Sequence, residues 1–448
     1  MNTPICDFVR DYTERQTLRL HVPGHKGADF LGIERFDITE ISGADSLYEA
    51  EGIIARSEEN ASRLFGCRTF YSTEGSSQCI RAMLYLAMIH AKGQGRVPRI
   101  AAGRNAHKTF LTAAALLDLE VDWLYPRRKT GYLSCDLSPG ELDEYLSSAE
   151  RKPTAVYVTS PDYLGHIADI SGLSKVCHRH EVLLLVDNAH GAYLRFLPES
   201  RHPMDLGADL CCDSAHKTLP VLTGGAYLHL SERMDRQFGE QAKNALMIFG
   251  STSPSYLILQ SLDRANLYLQ DYPMRLSAFI HEVQKLKEQL LRHGYTLYGQ
   301  EPLKVTIEAK TFGYTGCRMA AFLRERGMEP EFADRDHLVL MLTPELGERT
   351  LARVADALCQ LPRLEAITES APDFSAPQQA MSIREAMLSP AEVVSVEESI
   401  GRILAVPSVG CPPAVPILVC GEVIDDHTAS CFQYYGIDRC AVVKKGVK

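Results

Sequence analysis

Long apolar runs are missing from this chain. No stretch offers the roughly 18 continuous apolar residues of a membrane-crossing helix. The N-terminus, MNTPICDFVRDYTERQ, lacks the apolar core of a secretory leader, so a cytoplasmic protein is expected. Disulfide spacing is missing too. The 13 cysteines are odd in number and include no CxxC pair, and Cys411, Cys420, Cys431 and Cys440 stand too far apart for a zinc knuckle. They read as reduced thiols. No basic stripe with interleaved aromatics is present, and 47 Lys and Arg against 57 Asp and Glu leave a net charge of −10. That points away from a nucleic-acid partner. Internal repeats and low-complexity tracts are absent as well.

What is there is an ordinary globular composition, 45% hydrophobic and 23% charged, spread over 448 residues. That length exceeds one hydrophobic core, so two or more lobes are expected. Residues 1–50 read as an extended arm. Within it HVPGHKG (21–27) carries His21, His25 and Lys26 among turn formers. It reads as a structured loop, not a metal site, because no carboxylate set accompanies the histidines. Residues 51–265 alternate short apolar runs with amphipathic stretches. AVYVTSP, VLLLVDNAH, DLCCDSAHK and GGAYLHL read as strands with polar ends, and SGLSKVCHRHE as a helix with a serine cap. This is the pattern of an α/β fold with a mostly parallel sheet covered on both faces. Residues 266–360 read as a long helix ending at Gly294 and a smaller α+β domain. Residues 361–382 form a linker, and 383–448 a C-terminal segment.

Four signals carry chemistry. In STEGSSQCIRAMLYLAMIH the apolar spacing starts a helix near Ser76, and its N-terminus with Gly75, Ser76, Ser77 and Gln78 suits an anion such as phosphate. A plain serine-capped helix has the same look. His107 lies in a polar loop before another helix, where most histidines are solvated bystanders. Asp187 ends an apolar strand, so it needs a partner, structural or otherwise. Lys217 follows the apolar run Ala208–Cys212, and an amine with restricted hydration is a nucleophile toward carbonyls. A phosphate cradle, a stacking ring, an aspartate and a lysine, in that order, are what pyridoxal phosphate (PLP) requires.

The chain resembles the Orn/Lys/Arg decarboxylases, PLP enzymes of fold type I, over almost its whole length. HVPGHKG, the segment 37–66, RNAHKT, STSPSY, MSIREAMLSPAEVVSVEESIGRI, CPPAVPILVCGEVI and SAHKTLP carry the resemblance. It implies a Schiff base on Lys217, Asp187 paired with the pyridine nitrogen, and His107 stacked on the ring. Gly75, Ser76, Ser77, Gln78, His190, Ser214 and His216 would complete the cofactor shell, with Lys217 or His216 returning a proton. Ser251 and Thr252 would reach the neighbouring subunit's phosphate, which implies a homodimer at least. The implied reaction is decarboxylation of arginine, lysine or ornithine, with a slight lean to arginine. Asp45 and Glu422 are candidates to meet the substrate's distal cation. An aminotransferase or aldolase-type lyase of the same fold, or a non-catalytic PLP-binding subunit, are the alternatives. The chain departs from the family pattern at Glu74, at Asn188 where short members commonly have an acidic residue, at Ala414 and at Cys420.

Overall fold

The computed structural model describes residues 1–127, 132–372, 376–406 and 415–446. Ala414 and Cys411 lie outside them. Seven strands make the main sheet: β1 (Arg68–Ser72), β2 (Arg99–Gly103), β3 (Glu120–Leu124), β4 (Ala155–Thr159), β5 (Leu183–Asp187), β6 (Leu210–Asp213) and β7 (Ala226–Leu230). Their order is β1-β7-β6-β5-β4-β2-β3. Every residue of β5, β6 and β7 is buried, which is why these strands read as unbroken apolar runs and not as alternating ones. The β5–β6 and β2–β3 pairs are parallel, but β7 runs antiparallel to both β6 and β1. The sheet is therefore mixed, with β7 reversed against both of its neighbours.

The chain divides into two compact units. The first comprises Met1–Val97, Thr154–Val156 and Ile170–Arg275; the second comprises Pro98–Pro153, Tyr157–Asp169 and Leu276–Lys448. The first unit contains helices α1 (Pro4–Glu14), α2 (Ile53–Phe65) and α3 (Gly75–Gly93). Helix α1 corrects the expectation of an extended arm. Thr3 caps it with no side-chain bond, and the N–H groups of Ile5 and Cys6 instead donate to Asp263 Oδ2, both at 3.0 Å. The capping carboxylate is remote in sequence, so no local signal announces it. The serine cap expected for the 170s is corrected too. That helix begins at Ile170, which puts Ser171 inside its first turn.

The second unit contains α4 (Lys108–Leu117) and a four-stranded antiparallel sheet. Its strands are β8 (Leu297–Tyr298), β9 (Lys304–Glu308), β10 (Phe332–Ala333) and β11 (His337–Met341), in the order β10-β11-β9-β8. The C-terminal part adds the antiparallel pair β12 (Ala391–Ser395) and β13 (Arg439–Val443), packed around Phe432, Leu418 and Ile424. The long helix Tyr272–His293 stops at Gly294, whose φ of +101° ends it as the sequence suggested. Among the described residues every cysteine is a free thiol, and no helix is long and apolar enough to cross a membrane.

Candidate active site

Strand directions assemble the site in the first unit. Because β7 opposes both β1 and β6, strands β1, β6 and β5 run the same way and end on one edge. Chemistry in such sheets collects at the carboxyl ends of the strands. Asp187 is the last residue of β5. Lys217 follows the end of β6 in a short helical turn, Ala215–Thr218. The start of α3 lies three residues past the end of β1.

The loops at this edge are tied together. Ser214 Oγ donates to Ser76 Oγ at 2.7 Å, linking the lysine turn to the α3 N-terminus. Gly75 adopts a φ of +72°, and its N–H donates to Gly224 O at 2.7 Å. At Gly224 a Cβ would meet Thr73 O at 2.8 Å, so only glycine permits this approach. The first N–H groups of α3 have no carbonyl acceptor inside the helix, a geometry suited to an anion.

Lys217 Nζ lies 2.9 Å from His190 Nε2. Asp187 is 2% exposed. Its Oδ1 accepts from the Ala189 N–H at 3.2 Å and from the Cys212 thiol at 3.7 Å. His216 donates from Nδ1 to Gly225 O at 3.0 Å, since a carbonyl only accepts; that leaves Nε2 as the basic nitrogen. Burial pulls the His216 imidazole below its ordinary value.

Other expected residues have different surroundings. The Gln78 side chain is fully buried and spent on protein groups: Ser72 Oγ donates to its Oε1, and its Nε2 donates to Tyr48 Oη and Leu246 O. The Glu74 carboxylate accepts from the Ser251 N–H, so it is drawn toward the exposed loop carrying Ser251 and Thr252. Asp45 caps α2: its oxygens accept from the N–H groups of Gly52 and Ile54 at 2.8 Å. In the second unit His107 is the N-cap of α4, where Nδ1 accepts from the Thr109 N–H at 3.2 Å. Also there, Glu422 is buried and paired with Arg104 at 3.0 Å, and it accepts from the Val419 N–H at 2.7 Å. Burial pushes its carboxyl up while Arg104 opposes the shift. Cys420, near it in the chain, donates to Ala405 O at 3.2 Å.

Sequence reading missed Asp213. It is fully buried, and its Oδ2 takes hydrogen bonds from His202 Nε2 and His229 Nε2, both at 3.1 Å. Burial alone would raise its carboxyl, but the two imidazoles hold it far below the carboxylate range. His202, Cys211 and Asp213 offer ligand atoms within 4.8 Å of one another. Both Nε2 atoms, however, point N–H groups at the carboxylate, which makes this a hydrogen-bonded cluster. The partners lie 11 and 16 residues away on other segments, beyond any local spacing rule.

The fold, with its mixed central sheet, helices and smaller C-terminal part, is that of fold type I PLP enzymes. A Francisella novicida lysine decarboxylase structure matches with a TM-score of 0.80 at 16% identity, over 99% of this chain and 81% of that one. The family is settled by sequence. The Orn/Lys/Arg decarboxylase major-domain model matches residues 3–306 and the C-terminal-domain model residues 364–440; the chain belongs to that family. An uncharacterised Bacillus subtilis protein is 30% identical over 94% of this chain and 92% of its own length. The Bacillus subtilis arginine decarboxylase is 28% identical over 96% of this chain and 92% of its own.

Proposed function

We propose that this protein is a PLP-dependent decarboxylase of a basic amino acid, with arginine as the leading substrate. The observation that carries the reading is the convergence of Asp187, Lys217 and the α3 N-terminus on one edge of the sheet. A nucleophilic amine, a buried carboxylate and an anion site are the donor set that PLP needs, and the residues fit it. Arginine leads because the full-length curated relatives include arginine decarboxylases from several bacilli.

When bound, PLP supplies an electron sink for the pair left on Cα when the carboxylate departs. Lys217 is the amine that would hold the cofactor's aldehyde carbon, and Asp187 would keep a proton on the ring nitrogen. The N–H groups of Ser76 and Ser77, with the hydroxyl of Ser214, would take the phosphate. Lys217 Nζ would deliver the proton to Cα, or His216 would do so once its basic Nε2 has taken one up. His107 as the ring-face cover follows from the family resemblance. Asp45 and Glu422, the residues expected to meet the distal cation, are both engaged by protein groups, Asp45 by the N–H groups of α2 and Glu422 by Arg104 and the Val419 N–H.

The active unit is proposed to be a cytoplasmic homodimer. The exposed Ser251–Thr252 loop supports the dimer. So do Leu18, Leu20, Phe30 and Leu31, which are 76% to 86% exposed on an otherwise ordered arm. Offering arginine, lysine and ornithine together and reading products by mass spectrometry tests the substrate assignment. The expected product is decarboxylated arginine; a keto acid without CO2 would favour an aminotransferase.

A further inference from the structure

Asp213 ends β6, two residues before the turn that carries Lys217, and its side chain faces away from the Asp187 side. Residue alternation explains this: Cys212 reaches Asp187, so Cys211 and Asp213 project to the opposite face. There Asp213 gathers donors from three segments. Asn188 Nδ2 donates to Oδ1 at 2.6 Å, and His202 and His229 donate to Oδ2. Cys211 Sγ lies 3.9 Å from Oδ1. His202 Nδ1 accepts from the Met204 N–H at 3.4 Å, and His229 Nδ1 sits 2.9 Å from the Thr69 hydroxyl. Each imidazole thus bonds Asp213 through Nε2 and a second group through Nδ1.

Asn188 directly follows Asp187, and its N–H donates to Cys212 O at 3.0 Å. The Asn188–Asp213 bond therefore joins the segment bearing Asp187 to the segment leading to Lys217. Asn188 Oδ1, by contrast, is buried and has no hydrogen-bond partner among the described residues. A Cβ at Gly191 would lie 2.0 Å from that oxygen. The amide is held here for its donor, since its acceptor does nothing. An acidic side chain at 188, as in the family pattern, would place two carboxylates in contact.

We infer that Asp213 is a positioning residue whose bond to Asn188 sets the spacing of Asp187 and Lys217, and that positions 188 and 213 accommodate a single carboxylate between them, at 213 in this chain. The inference rests on the reading of Lys217 and Asp187 above. In N188D the two acids repel and one must take a proton. In D213N the histidines keep an acceptor, but Asn188 faces another amide with no charge between them. In the exchange N188D/D213N, the amide placed at position 213 donates to the carboxylate placed at position 188. The amide oxygen at 213 still accepts from both histidines, and one carboxylate is restored.

The experiment is PLP titration by absorbance and thermal melting of the PLP-free protein, on wild type, N188D, D213N and N188D/D213N. A core variant remote from these residues, Phe432→Leu, serves as a control for stability loss alone. Each single variant is expected to bind PLP about tenfold or more weakly, the double variant to return to within about threefold of wild type, and the control to melt lower with unchanged PLP affinity. Additive losses in the double variant would overturn the inference, as would single variants that lose only what the control loses. Wild type that binds no PLP would sink the functional reading instead. The melts then decide the pair by themselves: lower in each single variant and recovered in the double supports one shared carboxylate, and unchanged melts overturn it.

Discussion

At the scale of residues, the site depends on what each charged group faces. Lys217 has His190 Nε2 at 2.9 Å, and Asp187 has an N–H and a thiol. Asp187→Asn is expected to cut kcat about a hundredfold or more, the usual effect of losing one preorganised electrostatic partner, with the melting temperature little changed. Steady-state kinetics beside a thermal melt check this. Glu422 and Arg104 form a buried pair, and breaking it by Arg104→Ala leaves an uncompensated charge. A loss of about 3–5 kcal/mol in urea unfolding is expected. Acid sensitivity centres on Asp213, which faces His202, His229, Asn188, Cys211 and the Thr69–His229 bond, with Tyr227 and Cys67 nearby. Asp213 is depressed in the fold, so its contribution is present above the unfolded carboxylate value and is lost as pH falls toward the folded one. His229 is also depressed, by burial, so the unfolded chain takes up its proton first and stability falls as pH drops below about 6.5. Melting temperatures across pH 8 to 4 should therefore decline on the acid side, starting near the histidine range.

At the scale of elements, legibility followed locality. Strands β5, β6 and β7 were readable because each is a continuous buried run, and the Tyr272–His293 helix because Gly294 stops it. Helix α1 was not readable, because its cap is Asp263. Asp263→Ala is expected to fray α1 and lower stability by about 1–2 kcal/mol, with hydrogen exchange rising first at Ile5 and Cys6. The reversed β7 was equally hidden, since strand direction is a matter of pairing and not of composition. For the site, Lys217, Asp187 and Ser76 stood out because each ends or begins an apolar segment. Asp213 did not, although it lies in the same CCDSAHK stretch, because its meaning comes from His202 and His229. Glu74 departs from the family pattern, and only the folded chain shows its carboxylate turned to the Ser251 N–H.

For the whole molecule, one edge of a mixed sheet is proposed to carry a lysine-dependent decarboxylation. If the Ser251–Thr252 loop serves a neighbouring copy, a mixture of Lys217→Ala and Thr252→Ala chains, refolded together, should recover activity that neither has alone. The most direct test is release of labelled CO2 from carboxyl-labelled arginine by the purified protein with added PLP, beside Lys217→Ala. Release is expected from wild type and none from the variant, with the same far-ultraviolet circular dichroism for both. Release that persists in Lys217→Ala would contradict the proposal.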